Sequence, residues 1–266
     1  MMTDPYKLLT LEIDTRGVAF VALNRPQVHN AFDEALIREI THVFERLDGN
    51  RNVRLAVLSG HGKSFCAGGD LNWMRSMKGY SREENVADSK NLAVMYSVLR
   101  AFGKPLIGVV HGFALGGGAG LAAVCDFVVA AEDAKFGFTE TRLGILPAVI
   151  APYAIEKIGI SAARAYFTSG MQFPASTAKE IGLAHRVVPR DGLEAARDEV
   201  IGEFLKSAPS ACGKVKSLIN QIIALSPDRF AVTEATIEAI VEARVSIEGQ
   251  EGMDALLSNR KAKWVP

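Results

Sequence analysis

Apolar positions along the chain fall into short β-branched runs separated by longer stretches with helical spacing. The runs at 9–13, 18–23, 54–59, 105–110 and 126–130 predict strands. Apolar residues three and four positions apart predict helices over 33–48, 83–102, 117–125, 151–158, 161–169 and 175–181. Strands alternating with helices predict an α/β fold with parallel pairing. From about residue 193 the pattern changes. Segments 193–206, 209–225, 228–247 and 249–260 all read as helix, broken by Pro209, Pro227 and Gly249, and no strand follows. The expected organisation is a mixed core over 1–192 and a helical region over 193–266. A helical region without its own sheet must bury its apolar faces, and the pattern leaves core and neighbouring subunit equally open as the cover.

Charge narrows the partners. Thirty basic residues balance thirty acidic ones, whereas binding to nucleic acid or to an anionic membrane normally needs a basic excess. Neither partner is expected. The most apolar tract, 121–131, is too short to span a bilayer and contains Asp126. The start, Met1 to Lys7, shows no basic segment followed by an apolar one, so no secretory signal is expected. Three cysteines, Cys66, Cys125 and Cys212, are odd in number and lack metal-type spacing, which fits a reducing cytoplasm better than a disulfide framework. His29, His42, His61, His111 and His185 are scattered without ligand spacing, so no metal site is expected.

Two glycine-rich turns carry the candidate chemistry. The first runs from Val57 to Leu71 and contains Gly62-Lys63-Ser64, the tail of a phosphate loop. Its required first glycine would be residue 57, which is Val, so a phosphate cradle is not expected. What remains is a strand, a loop, and Ala67-Gly68-Gly69-Asp70 opening a short helix over 71–77. The second turn runs from a strand through His111-Gly112-Phe113-Ala114-Leu115 into Gly116-Gly117-Gly118 and a short helix. Gly118, Gly120 and Ala123 fit a loose dinucleotide fingerprint, but these glycines sit inside the helix, which leaves a nucleotide site as the weaker alternative. Each turn alone is explained by packing. Together they offer backbone N–H groups at two helix starts, and two such donors meeting at one point would form an oxyanion hole.

With these residues in view, the chain resembles the crotonase (enoyl-CoA hydratase/isomerase) superfamily along nearly its whole length. The resemblance rests on Asn24-Arg25-Pro26 with Asn30-Ala31, on 65–71 and 111–118, and on Cys125-Asp126. It continues through 136–140 and 143–147 and ends with 251–253 and 259–264. It implies a spiral of ββα units, a C-terminal helical trimerisation region, and a homotrimer or dimer of trimers. It also implies an acyl-CoA thioester substrate, with coenzyme A as part of that substrate and no separate cofactor. Carried over by position, the N–H groups of Gly69 and Gly117 would hold the thioester oxygen, and Glu140 would be a catalytic carboxyl. Ala67, Gly68, Asp70, Leu71, Asn72 and Gly116 would line the acyl-CoA site, with adenine near Ala67 and Leu71. Lys261, placed in the C-terminal helix, would reach the CoA phosphates.

One position departs from the pattern. The second catalytic glutamate of the usual hydratases would fall at residue 120, which is Gly. Three readings follow: a 2-enoyl-CoA hydratase working with Glu140 alone, a Δ3,Δ2-enoyl-CoA isomerase, or a non-catalytic CoA-binding relative. Residues 70–74, 79–85, 140–144, 147–153 and 248–252 look like the bacterial methylglutaconyl-CoA hydratase branch. That likeness favours the hydratase and makes Arg142 a candidate partner for a distal substrate carboxylate.

Overall fold

The β-branched runs become strands of one twisted sheet. In the computed structural model, which describes residues 6–266, the strands are β1 (Leu9–Ile13), β2 (Val18–Leu23), β3 (Leu55–Gly60) and β4 (Leu106–Val110), followed by β5 (Phe113–Leu115) and β6 (Phe127–Ala131). Three shorter ones complete the set: β7 (Lys135–Gly137), β8 (Gln172–Pro174) and β9 (Arg186–Val188). The helices are α1 (Glu34–Gly49), α2 (Leu71–Met77), α3 (Arg82–Ala101), α4 (Gly117–Val124), α5 (Ala151–Ser169) and α6 (Ala175–Glu180). Then come α7 (Leu193–Leu205), α8 (Pro209–Leu225), α9 (Arg229–Val245) and α10 (Ile247–Leu257). The large sheet has the order β1-β2-β3-β4-β6-β9, antiparallel only at its β1–β2 edge.

A second, smaller sheet positions the site. It contains β5, β7 and β8 and is continued by two isolated parallel bridges, Cys66 with Ala114 and Phe32 with Gly69. Each turn of the chain therefore repeats one theme. A strand enters the large sheet, a short extended piece crosses to the small one, and a helix returns: β2, Phe32, α1; β3, Cys66, α2; β4, β5, α4; β6, β7, α5. The short pieces carry no readable alternation, which is why β5, β7, β8 and β9 are absent from the sequence-based expectation.

Helix α1 buries Leu36, Ile37, Ile40, Val43, Phe44 and Leu47, one face at helical spacing, and Asp33 caps its start by accepting from the Leu36 N–H at 2.8 Å. Helix α3 buries Met95, Tyr96 and Leu99 and packs Leu92 and Val98 partly against the core. Helix α4 is buried throughout after its first residue, at every position from Gly118 to Val124. Its smallness has a cause: a Cβ on Gly118 would strike the Cys66 carbonyl.

Contacts divide the chain into two units: residues up to Phe102 with Leu106–Asp198, and Gly103–Pro105 with Glu199–Pro266. The division falls inside α7. The two expected helices at 151–158 and 161–169 meet within α5 at a kink, at Gly159, whose φ of 74° is left-handed. One helix expectation needs correcting. The last helix begins at residue 247, after the Ser246 cap, so Gly249 lies in its first turn instead of before it. It ends at Leu257. Among the described residues, no helix is long and apolar enough to cross a membrane.

Candidate functional site

The first glycine turn is held in place by the loop at 25–33. Phe32 donates its N–H to the Gly68 carbonyl at 2.7 Å and accepts from the Asp70 N–H at 2.8 Å. Gly69, between them, therefore directs its own N–H and C=O away from Phe32, as parallel-bridge geometry requires. Arg25 fastens the arrangement. Its Nη2 lies 3.0 Å from Asp70 Oδ2 and 2.9 Å from Asp33 Oδ2, and Nη1 donates to the Ala31 carbonyl. One guanidinium thus joins the N-caps of α1 and α2. Asp70 also accepts from the N–H groups of Asn72 and Trp73. Its buried carboxylate is committed to these structural bonds. Asn30, fully buried, accepts from the Arg25 N–H and donates to the carbonyls of His61 and Ser64.

The second turn lies against the first. Cys66 donates its N–H to the Phe113 carbonyl at 2.9 Å, and the Leu115 N–H returns to the Cys66 carbonyl at 3.0 Å. A Cβ on Gly68 would lie 2.9 Å from the Leu115 carbonyl and 4.0 Å from Gly116 Cα. Gly116 has φ 52° and ψ −120°, a conformation open to glycine, and its N–H donates to the Gly137 carbonyl at 2.8 Å. Gly117 follows as the first residue of α4, where an N–H has no partner within the helix.

Glu140 completes the cluster. It opens a 3₁₀ turn over Glu140–Leu143 that follows β7. Its Oε1 would lie 3.1 Å from a Cβ on Gly116. Its Oε2 is shut off from solvent and has no hydrogen-bond partner. Burial pushes this carboxyl above the usual glutamate range, partly offset by its own backbone N–H. A half-buried acid with no cation paired to it among the described residues, beside a helix start, is poised to exchange a proton.

The structure thus brings Gly68, Gly69, Gly116, Gly117 and Glu140 together. Ala67 is half-buried beside them, while Leu71 and Asn72 begin α2 on the exposed side, with Leu71 76% exposed. Lys261 lies beyond α10 instead of within a helix, and its Nζ donates to the Pro266 carbonyl at 3.0 Å. Cys66 and Cys125 are buried, and burial pushes the Cys66 thiol up to about 12. His111 sits buried with Nε2 3.1 Å from the Gly62 carbonyl, a structural contact.

Residue 120 explains itself here. A Cβ on Gly120 would lie 2.5 Å from Ile150 Cγ2 and 2.9 Å from Tyr96 Oη. The space a carboxylate would need is already filled. The sequence reading missed Tyr96 and Ile150. Both stand in ordinary apolar patterns that give no signal of a site.

Comparison with known proteins agrees along nearly the whole chain. The profile of the enoyl-CoA hydratase/isomerase family matches residues 14–265. A Rhizobium meliloti protein named "Probable enoyl-CoA hydratase" is 33% identical over 96% of this chain and 97% of its own. Among solved structures, an enoyl-CoA hydratase from Shewanella pealeana is similar with a TM-score of 0.93 and 37% identity, covering 98% of this chain and 97% of its own. One from Mycobacterium smegmatis has a TM-score of 0.92 and 29% identity, covering 98% and 100%. The ββα repeat, the helical C-terminal region and these matches place the fold, and the chain belongs to the enoyl-CoA hydratase/isomerase family of the crotonase superfamily.

Proposed function

We propose that the chain hydrates a 2-enoyl-CoA thioester, with Glu140 as its single catalytic carboxyl and the N–H groups of Gly69 and Gly117 as the oxyanion hole. The observation that carries this reading is the half-buried Glu140 carboxyl, whose Oε2 has no hydrogen-bond partner, beside the Gly116–Gly117 start of α4. Two amides on the thioester oxygen draw electron density from the alkene and make Cβ electrophilic. Glu140, ionised, takes a proton from water as the water oxygen bonds to Cβ, and the enolate charge collects on the oxygen between the amides. Glu140 then returns a proton to Cα. One carboxyl is regenerated, and one water is added across the double bond.

The filled space at Gly120 also favours a second reading, isomerisation of a 3-enoyl-CoA. There one carboxyl suffices to carry a proton from C2 to C4, and no water need be activated. Supplying a 2-enoyl-CoA and a 3-enoyl-CoA separately distinguishes the two. Loss of the enoyl absorbance with hydroxyacyl product supports hydration; migration of the double bond without water uptake supports isomerisation. Turnover of neither sinks both readings and leaves a CoA-binding protein.

For the acyl group, Arg142 supports a substrate of the methylglutaconyl-CoA kind. It is exposed, lies two residues after Glu140 on the same 3₁₀ turn, and packs its stem along Gly170, 2.8 Å from where a Cβ would be. On this reading its guanidinium pairs with the distal carboxylate of the acyl group. Comparing methylglutaconyl-CoA with crotonyl-CoA tests this. Arg142→Ala should raise KM about tenfold for the first and leave the second unchanged, and equal effects on both would remove Arg142 from recognition. The Ala67–Asn72 segment lining the CoA moiety, Lys261 at its phosphates, and trimeric assembly through the 193–266 helices belong to the same proposal.

A further inference from the structure

The hydroxyl of Tyr96 reaches the first residue of α4 from within the protein core. Tyr96 stands on α3 between Met95 and Leu99, is fully buried, and stacks on Tyr153 with ring centroids 5.8 Å apart at 29°. Its hydroxyl donates to the Gly117 carbonyl at 2.6 Å. The same oxygen lies 3.0 Å from where a Cβ on Gly117 would be, and Phe32 Cε2 lies 2.6 Å from that point. Gly117 is therefore gripped between an aromatic ring and a phenol.

The neighbourhood explains why such a grip matters. Gly116, Gly117 and Gly118 are consecutive, and three glycines in a row give the backbone its greatest freedom. Gly116 is pinned through its N–H to Gly137, and Gly118 is pressed against the Cys66 carbonyl. Gly117, whose N–H is the proposed donor, has no side chain of its own to fix it. Phenol burial, with Glu140 nearby, holds the Tyr96 proton well above the usual tyrosine range, so the donor is present at every working pH.

We infer that Tyr96 is a positioning residue for the reaction: its hydroxyl holds the Gly117 peptide so that the adjoining N–H meets the thioester oxygen as charge develops there. It occupies the room that a carboxylate on residue 120 would need, so the same contact that closes the second-glutamate position sets the oxyanion hole. This inference rests on the hydratase reading above.

The test compares wild type, Tyr96→Phe, and the protein carrying 4-aminophenylalanine at position 96, which keeps a donor at the end of the ring. Each is assayed with a 2-enoyl-CoA and titrated with 2,4-hexadienoyl-CoA, whose absorbance moves to the red when its carbonyl is polarised. Tyr96→Phe should lower kcat about tenfold with KM within about twofold, and should shrink the red shift while melting close to wild type. The amino side chain should restore both in large part. An unchanged kcat and red shift in Tyr96→Phe would overturn the inference, as would a loss of folding or a fall in kcat with the full red shift retained. Wild type that neither turns over nor shifts the absorbance would sink the underlying hydratase reading, and the inference with it.

Discussion

At the scale of single residues the proposed chemistry turns on Glu140, whose Oε2 is shut off from solvent without a hydrogen-bond partner. A carboxyl whose folded pKa is raised above the usual 4.5 binds its proton more tightly in the folded state than in the unfolded chain. Its contribution is thus most favourable below the unfolded value and is lost as pH rises through the window up to the raised one. At neutral pH the ionised group costs stability. Glu140→Gln should therefore melt at a higher temperature at pH 7 while losing about 10²–10⁴-fold in turnover, with acyl-CoA binding kept. Retained turnover, or a lowered melting point, would contradict that role. The rate of the wild type should also fall on the acid side with a midpoint above the ordinary glutamate value, and a limb at or below that value would show Glu140 unperturbed. The glycines differ sharply among themselves. A Cβ on Gly69 meets the flexible end of Met74 at 2.8 Å, whereas one on Gly117 meets the Phe32 ring at 2.6 Å and Tyr96 Oη at 3.0 Å. Gly69→Ala should keep activity within about twofold, and Gly117→Ala should lose about 10²–10³-fold. Similar kinetics for the two variants would mean that these turns do not shape the site. Glu140 and the glycine turns were legible through the resemblance and the run of small residues. Tyr96 was not, because a buried tyrosine at helical spacing reads as core.

Elements, and the joints between them, decide where those residues stand. The five main strands and most helix bounds follow from apolar spacing, as at α1, where 36, 37, 40, 43, 44 and 47 share one face. The three-residue strands β5, β7, β8 and β9 and the bridges at Phe32 and Cys66 were not legible, since alternation needs more residues than they have. Of those unread pieces β9 edges the large sheet, while the small-sheet strands and the two bridges are the ones that assemble the candidate site. Their most economical fastening is Arg25, which ties the caps of α1 and α2 together. Removing it leaves Asp70 buried without its cation, so Arg25→Met should destabilise the fold by about 3–5 kcal/mol in denaturant unfolding. A loss under about 1 kcal/mol would show the cap bonds alone hold the loop. At the next joint, α4 meets Ile150 and Tyr96. Gly120→Glu should overpack this contact and cost about 1–3 kcal/mol without raising the hydration rate. A gain in rate would show that the second-glutamate position is still open.

Apolar surface bears on the whole molecule. In the second unit, α8 and α9 have no fully buried residue, and Phe230, Val245, Ile247, Leu256 and Leu257 are 70–91% exposed. A groove of about 700 Å³ within that unit is lined by Leu218, Ile240, Met253, Leu256 and Trp264 among others. Patches of this kind mark surfaces meant for a partner, which supports the proposed trimer or dimer of trimers. The sequence left open what covers these helices, because helical spacing reports a buried face and not what buries it. Light scattering on the purified protein should give three or six chains, and a monomer at micromolar concentration would contradict the assembly. The central claim can be met head-on by solving the protein with a non-reacting acyl-CoA bound. The thioester oxygen should lie about 2.7–3.1 Å from both the Gly69 and Gly117 nitrogens, with the Glu140 carboxyl facing Cα and Cβ. An oxygen held by only one of those amides, or an acyl group seated away from Glu140, would contradict the account.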